Sequence, residues 1–159
     1  EIRNCDWSSD VCSSDLDMLV SQWVAAHRVI ADGPNAGRYN HDLMPYWREV
    51  MDRMSPDDPA RTVTVIKSAQ VGASEMMTSV AFFIIDQAPG NTMIVHPTRE
   101  AAADWTAEKF DVAIDANPRV RAKIAPVISR GSEGSTSRRK RFPGRMIVIA
   151  GAKIGRAHV

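Results

Sequence analysis

Apolar positions fall into runs whose spacing predicts helices alternating with strands. Leu19, Trp23, Ala26, His27 and Ile30 recur at helical spacing and stop before the turn signal Asp32-Gly33-Pro34. Asn35 to Leu43 is polar and irregular. Pro45, a good first-turn residue, opens a second helix reaching Met54, with Trp47, Val50, Met51 and Met54 on one face. After the loop Ser55-Pro56-Asp57-Asp58-Pro59, the β-branched run Thr62-Val63-Thr64-Val65-Ile66 predicts a short buried strand. Met76, Met77, Val80, Ala81, Ile84 and Ile85 then mark the buried face of a helix. Pro89-Gly90 is a turn, and Thr92-Met93-Ile94-Val95-His96 predicts a second buried strand. Thr98 is placed to cap the next helix, with Ala103, Ala107, Phe110 and Ile114 at helical spacing, Trp105 beside them, and Asn117-Pro118 as its end. Met146 to Ala150 predicts a third strand. This alternation predicts an α/β domain with parallel strand pairing.

The two ends break the pattern. Residues 1–16 repeat a short Ser-Ser-Asp unit without apolar periodicity and resemble translated sequencing-adapter DNA, as does the tail 153–159. Neither has the layout of a signal peptide, so both are expected to lie outside the fold, with residues 17–152 as the partial native domain. On that reading the native protein extended beyond both ends, and deleting residues 1–16 leaves stability unchanged. Cys5 and Cys12, the only cysteines, fall in the head, leaving residues 17–152 without thiol or disulfide chemistry. Those residues hold seventeen of the 20 Lys and Arg and fifteen of the 19 Asp and Glu, a net charge of about +2. That balance does not by itself imply nucleic acid. No apolar run approaches the roughly twenty residues of a membrane span, and a cytosolic setting is expected.

Between the Thr62 run and the Met76 helix lies Lys67-Ser68-Ala69-Gln70-Val71-Gly72-Ala73-Ser74. A strand, a small-residue loop and a helix start make a phosphate-binding turn, because the first N–H groups of a helix lack backbone partners and carry the positive end of its dipole. Compared with the usual G-x-x-x-x-G-K-[ST] loop, Ala73 stands where the lysine belongs, and Lys67 moves the cation six residues upstream. Ser74 keeps the hydroxyl that would face Mg²⁺, and Gly72 keeps the freedom for close backbone approach. An ordinary strand–helix turn with a solvated Lys67 is the plain alternative. Trp47 is expected in the core, whereas Tyr46 either packs or stacks on a base. His96 has no second His or Cys at metal spacing and is expected to be structural. Arg130 to Arg145 sets six positive charges against one negative on a Gly/Ser frame. It is either a solvated loop or a phosphate-backbone contact.

Several of these stretches together resemble the ATPase domain of lambda-type phage terminase large subunits. They are Pro45 to Asp52, the loop from Lys67 to Glu75, the turn Pro97-Thr98-Arg99-Glu100, and Arg141-Phe142-Pro143-Gly144 before a strand ending Ala150-Gly151-Ala152. The resemblance covers nearly all of residues 17–152, and its most specific part is the loop. It implies a P-loop NTPase fold of the RecA or helicase-like kind, with a mostly parallel sheet and flanking helices. It also implies ATP and Mg²⁺ as cofactors, and double-stranded DNA, a small terminase subunit, the portal and further copies of the motor subunit as partners, in the host cytoplasm. Residue by residue, Lys67, Ser68, Ala69, Gln70, Val71, Gly72, Ala73 and Ser74 would bind nucleotide, with Lys67 on the phosphates and Ser74 on Mg²⁺. Tyr46 would lie near the adenine. Thr98 and Arg99, in a turn resembling a DNA-contacting motif of helicase-type enzymes, join Arg138, Arg139, Lys140 and Arg141 as DNA candidates. Many relatives carry a lysine or small residue at or after position 73, where this chain has Ala73 and Glu75, and Glu75 puts a negative charge beside the phosphate site.

No strand ends in the Asp-Glu pair such an ATPase needs to hold metal and activate water, so no catalytic residue is assigned. Hydrolysis by this chain is expected to stay at background. Another helicase-like P-loop ATPase, or a non-enzymatic nucleic-acid-binding domain, remain the alternatives at this stage.

Overall fold

The helix that follows the candidate loop is the central packing element. In a computed structural model describing residues 18–126, 136 and 138–152, α3 spans Ala73–Asp86 and buries Met76, Val80, Ala81, Phe82, Phe83 and Ile85. The predicted stripe is present but wider than the pattern, because α3 is packed by α1 (Val20–His27), α2 (Tyr46–Asp52) and α6 (Pro118–Arg121). Met77, included in the predicted stripe, is instead 40% exposed, while Phe82 is fully buried against Phe110 at a ring distance of 5.6 Å. The adapter-like ends and the Gly/Ser frame at 131–135 and 137 lie outside the described residues.

α1 ends earlier than its pattern. Ile30 does not extend the helix but sits in β1 (Val29–Ile30), which pairs antiparallel with β2 (Gly37–Arg38). The region read as irregular thus holds a small hairpin and a single 3₁₀ turn at His41–Leu43. Asn117 explains why β1 stays in place: its amide accepts from the Val29 N–H at 2.8 Å and donates to the Val29 carbonyl at 2.8 Å.

The second sheet has the order β3-β5-β4, with β3 at Thr92–His96, β4 at Arg139–Phe142 and β5 at Arg145–Gly151. β3 and β5 are parallel, aligning Thr92 with Ile147 and His96 with Gly151. β4 and β5 are antiparallel, so the sheet is mixed rather than mostly parallel. Its inner face carries Ile94, Ile147, Ile149 and Phe142, and β3 is not buried on both faces, since Met93 is 64% and Val95 56% exposed.

Two expectations fail here. Thr62–Ile66 forms no strand, and Ile66 is 98% exposed. β propensity reports fit to a pleated, half-buried surface, and here the described strands β3, β4 and β5 pair only among themselves. The helix after Thr98 buries Phe110 and Ile114 as expected, but the two alanines before them do not share their face. It runs as α4 (Arg99–Trp105), a π turn at Thr106–Phe110 and α5 (Asp111–Asp115), and it buries Ala102, Thr106, Phe110 and Ile114 while Ala103 and Ala107 are exposed. Steps of four overrun an α turn by about 40° each, so three would carry the stripe about 120° around the helix. The extra residue of a π turn removes that drift.

Candidate functional site

Gly72 is the N-cap of α3 and adopts the left-handed conformation, φ 76° and ψ 17°. That backbone favours glycine, and a Cβ here would run into the Met44 sulfur. Two residues earlier, Gln70 is also left-handed at φ 55°. Left-handed residues alternating with right-handed ones can turn successive N–H groups to one side, as in an anion nest. No side chain caps the first turn of α3, and the Ser74 hydroxyl, on an exposed residue, has no protein partner among the described residues. Uncapped helix donors, the Ser74 hydroxyl and a lysine earlier in the same loop are residue types that suit a phosphate group with its divalent cation, so they fit ATP and Mg²⁺.

The loop is tethered to α2 through one carbonyl. The Trp47 indole N–H donates to Val71 O at 2.6 Å, and the exposed Tyr46 hydroxyl donates to the same oxygen at 3.1 Å. Trp47 is in the core as expected, at 2% exposure, but its polar edge faces the loop. Tyr46 does not pack inside; it is 53% exposed and lines a 380 Å³ cleft with Trp47, Val50, Val65, Ile66, Lys67, Ser68 and Val71. Lys67 is exposed, and its ammonium donates to Ser68 O at 3.3 Å. Ala69 is exposed and Ala73 half-buried at the start of α3.

Glu75 is not a bare charge beside this loop. Its carboxylate meets Arg28 at 2.7 Å, and the Arg28 side chain is fully buried. Arg28 also donates to the Val29 carbonyl and lies 4.8 Å over the Phe82 ring. Burial pulls the guanidinium below its ordinary value while the Glu75 charge opposes that shift. Burial, reinforced by the Glu75 charge, pushes the neighbouring Tyr39 hydroxyl up to about 12. Arg28 escaped the sequence reading because an arginine after an apolar helix end normally points to solvent.

At the far end of α3, Asp86 is structural. It accepts from Trp23 at 2.8 Å and from Arg119 at 2.7 Å, and pairs with Lys123 at 2.7 Å. Burial drives its carboxyl up, but the hydrogen bonds from Lys123, Trp23 and Arg119 outweigh that and hold it below the usual carboxylate value. His96 packs against Trp105 at 4.8 Å, and no group of potential metal ligands occurs among the described residues.

The basic candidates separate by strand parity. Arg139 to Phe142 form β4 rather than loop, so Lys140 and Phe142 point inward. Lys140 is 4% exposed and paired with Asp111 at 2.7 Å, which removes it from any DNA surface. Arg138 and Arg139 are exposed, and they line one 550 Å³ groove with Arg99, Thr136 and the end of β5. Arg141 is half-buried and lines a different cleft, with Lys123 and Arg145. Thr98 is exposed, and its hydroxyl accepts from the Ala101 N–H at 3.1 Å as the cap of α4. Two stretches forty residues apart in sequence therefore meet where β5 passes α4.

Residues 33–157 match the family described as phage terminase large subunit gpA, ATPase domain. The chain is 28% identical over 121 residues to the terminase large subunit of Enterobacteria phage P21, covering 76% of this chain and 18% of that protein. It is 32% identical over 101 residues to the terminase large subunit of Escherichia phage lambda, covering 64% of this chain and 15% of that protein. The chain thus spans less than a fifth of the length of these curated relatives. No solved structure gives a significant match. No helix among the described residues is long and apolar enough to cross a membrane. The chain belongs to the family of phage terminase large subunits, within their ATPase domain.

Proposed function

We propose that this chain carries the phosphate-binding part of a P-loop ATPase of the RecA or helicase-like kind, serving a motor that drives double-stranded DNA into viral procapsids. The observation that carries this reading is the uncapped start of α3 behind a loop with left-handed Gln70 and Gly72, bearing Lys67 and Ser74. In this reading Lys67 swings from Ser68 O onto the nucleotide phosphates, and the N–H groups from Gln70 to Ser74 cradle them. Ser74 would hold Mg²⁺, which neutralises the charge developing on the transferred phosphoryl group. Tyr46, exposed at the cleft beside Lys67, is available for the adenine. Arg99, Arg138 and Arg139 would grip DNA phosphates without reading sequence. The small terminase subunit, the portal and further copies of the motor subunit are the proposed partners, in the host cytoplasm.

Calorimetric titration with MgATP tests the reading. Lys67→Ala is expected to abolish binding, and Ser74→Ala to weaken it only when Mg²⁺ is present. Lys109→Ala, which loses only an exposed pair to Asp32, is expected to bind like the parent. Equal effects at Lys67 and Lys109 would remove the phosphate role.

A further inference from the structure

Glu75 occupies the third position of α3, where a glutamate ordinarily reaches back to cap the helix by accepting from the N-cap N–H. Such a self-cap would place a carboxylate on the donors that an anionic ligand needs. It does not form here: no side chain caps α3, and the Glu75 oxygen Oε2 is held by Arg28 Nη2 at 2.7 Å. Arg28 is itself fixed from three sides. It sits at the end of α1, donates to the Val29 carbonyl, and stacks over Phe82, while Asn117 pins Val29 through both its N–H and its carbonyl. The Arg28 side chain is fully buried and Glu75 is 29% exposed, so their attraction is little screened by solvent.

We propose that Arg28 is a positioning residue of the nucleotide site, holding the Glu75 carboxylate off the α3 N-terminus and cancelling its charge so that the helix donors stay open to phosphate. The inference rests on the proposed nucleotide-binding reading of the Lys67–Ser74 loop. It also accounts for how an acidic residue is tolerated one position after Ser74. Without the arginine, Glu75 would compete with the ligand in two ways, by occupying the N–H groups and by repelling the phosphates.

The test is MgATP titration of the full 159-residue chain and three variants, with thermal unfolding recorded for each. Arg28→Gln leaves the carboxylate uncompensated and is expected to weaken binding about tenfold, the scale of one unit charge acting across a partly solvated site. Glu75→Gln is expected to bind at least as tightly as the parent even though it loses stability, because Arg28 is left buried without its partner. The double variant Arg28→Gln/Glu75→Gln is expected to return to within about twofold of the parent affinity. If the pair merely props the fold, Glu75→Gln and the double variant lose affinity in step with their loss of stability, which overturns the proposal. Should Arg28→Gln not fold, the other two variants still decide. Lys67→Ala, run in parallel, separates the readings: if it binds MgATP like the parent, the site reading fails. If it loses binding while affinity is indifferent to Arg28 and Glu75, only the positioning role fails.

Discussion

Trp47 holds the candidate loop by its Val71 carbonyl, with the indole N–H 2.6 Å from the oxygen. A core tryptophan thereby anchors the loop to α2, and Tyr46 adds a longer, exposed bond to the same atom. Trp47→Phe keeps most of the buried ring and deletes the donor. It is expected to cost about 1–2 kcal/mol, a fall in Tm of roughly 2–8 °C, together with weaker MgATP binding. Tyr46→Phe is expected to change stability by less than about 0.5 kcal/mol. Thermal unfolding and calorimetry on the two variants check the contrast, and identical behaviour would deny the tether any special role.

Charge alone does not assign the basic residues to DNA. Changing Arg99, Arg138 and Arg139 together to Gln is expected to reduce the salt dependence of duplex binding, by about 0.9 in log–log slope for each phosphate that is no longer neutralised. Lys140→Gln is expected to leave that slope intact and to destabilise the fold by about 1–3 kcal/mol, since it strands Asp111, which is 40% exposed. Fluorescence anisotropy across a salt series reads the first effect, and denaturant unfolding reads the second.

Asp86 ties α3 to α1 and α6, and its carboxyl is held below the ordinary value of 3.8. A depressed acid contributes stability that is fully present above its unfolded value and is lost as pH falls through its folded value. Unfolding free energy is therefore expected to decline below about pH 4. Asp86→Asn is expected to flatten that acid limb and to cost about 2–4 kcal/mol at neutral pH, because buried donors and the partly exposed Arg119 and Lys123 lose their common partner. An acid limb that survives in Asp86→Asn would place its origin in other carboxylates.

Gly151 marks the crossing of β5 and α4. A Cβ there would collide with the Arg99 nitrogen and the Thr98 carbonyl carbon, both backbone atoms that cannot rotate away. Gly151→Ala is expected to cost about 1–3 kcal/mol through overpacking and to weaken duplex binding by displacing Arg99 from Arg138 and Arg139. Retained stability together with retained DNA affinity would show that the crossing is looser than its geometry.

Local patterns determined much of this protein. The apolar spacing from Met76 to Ile85 placed α3, because a helix buries whatever recurs once per turn. Thr98 marked the start of α4 because a cap hydrogen bond closes within three residues. The turn into α3 was legible because the left-handed backbone at Gly72 is one that glycine adopts readily. Other features depended on what lies across the fold. Thr62–Ile66 had the composition of a strand but pairs with no strand among the described residues, and composition cannot supply a pairing edge. Lys140 read as one of four equivalent charges until β4 parity turned it inward onto Asp111. Arg28 and Glu75 stand forty-seven residues apart, and only the packing of α1 against α3 brings them to 2.7 Å and turns a charge that looked out of place into a part-buried pair. Short-range hydrogen bonds and periodic burial are written in the chain itself, whereas electrostatic compensation depends on through-space distance, which tertiary packing alone sets.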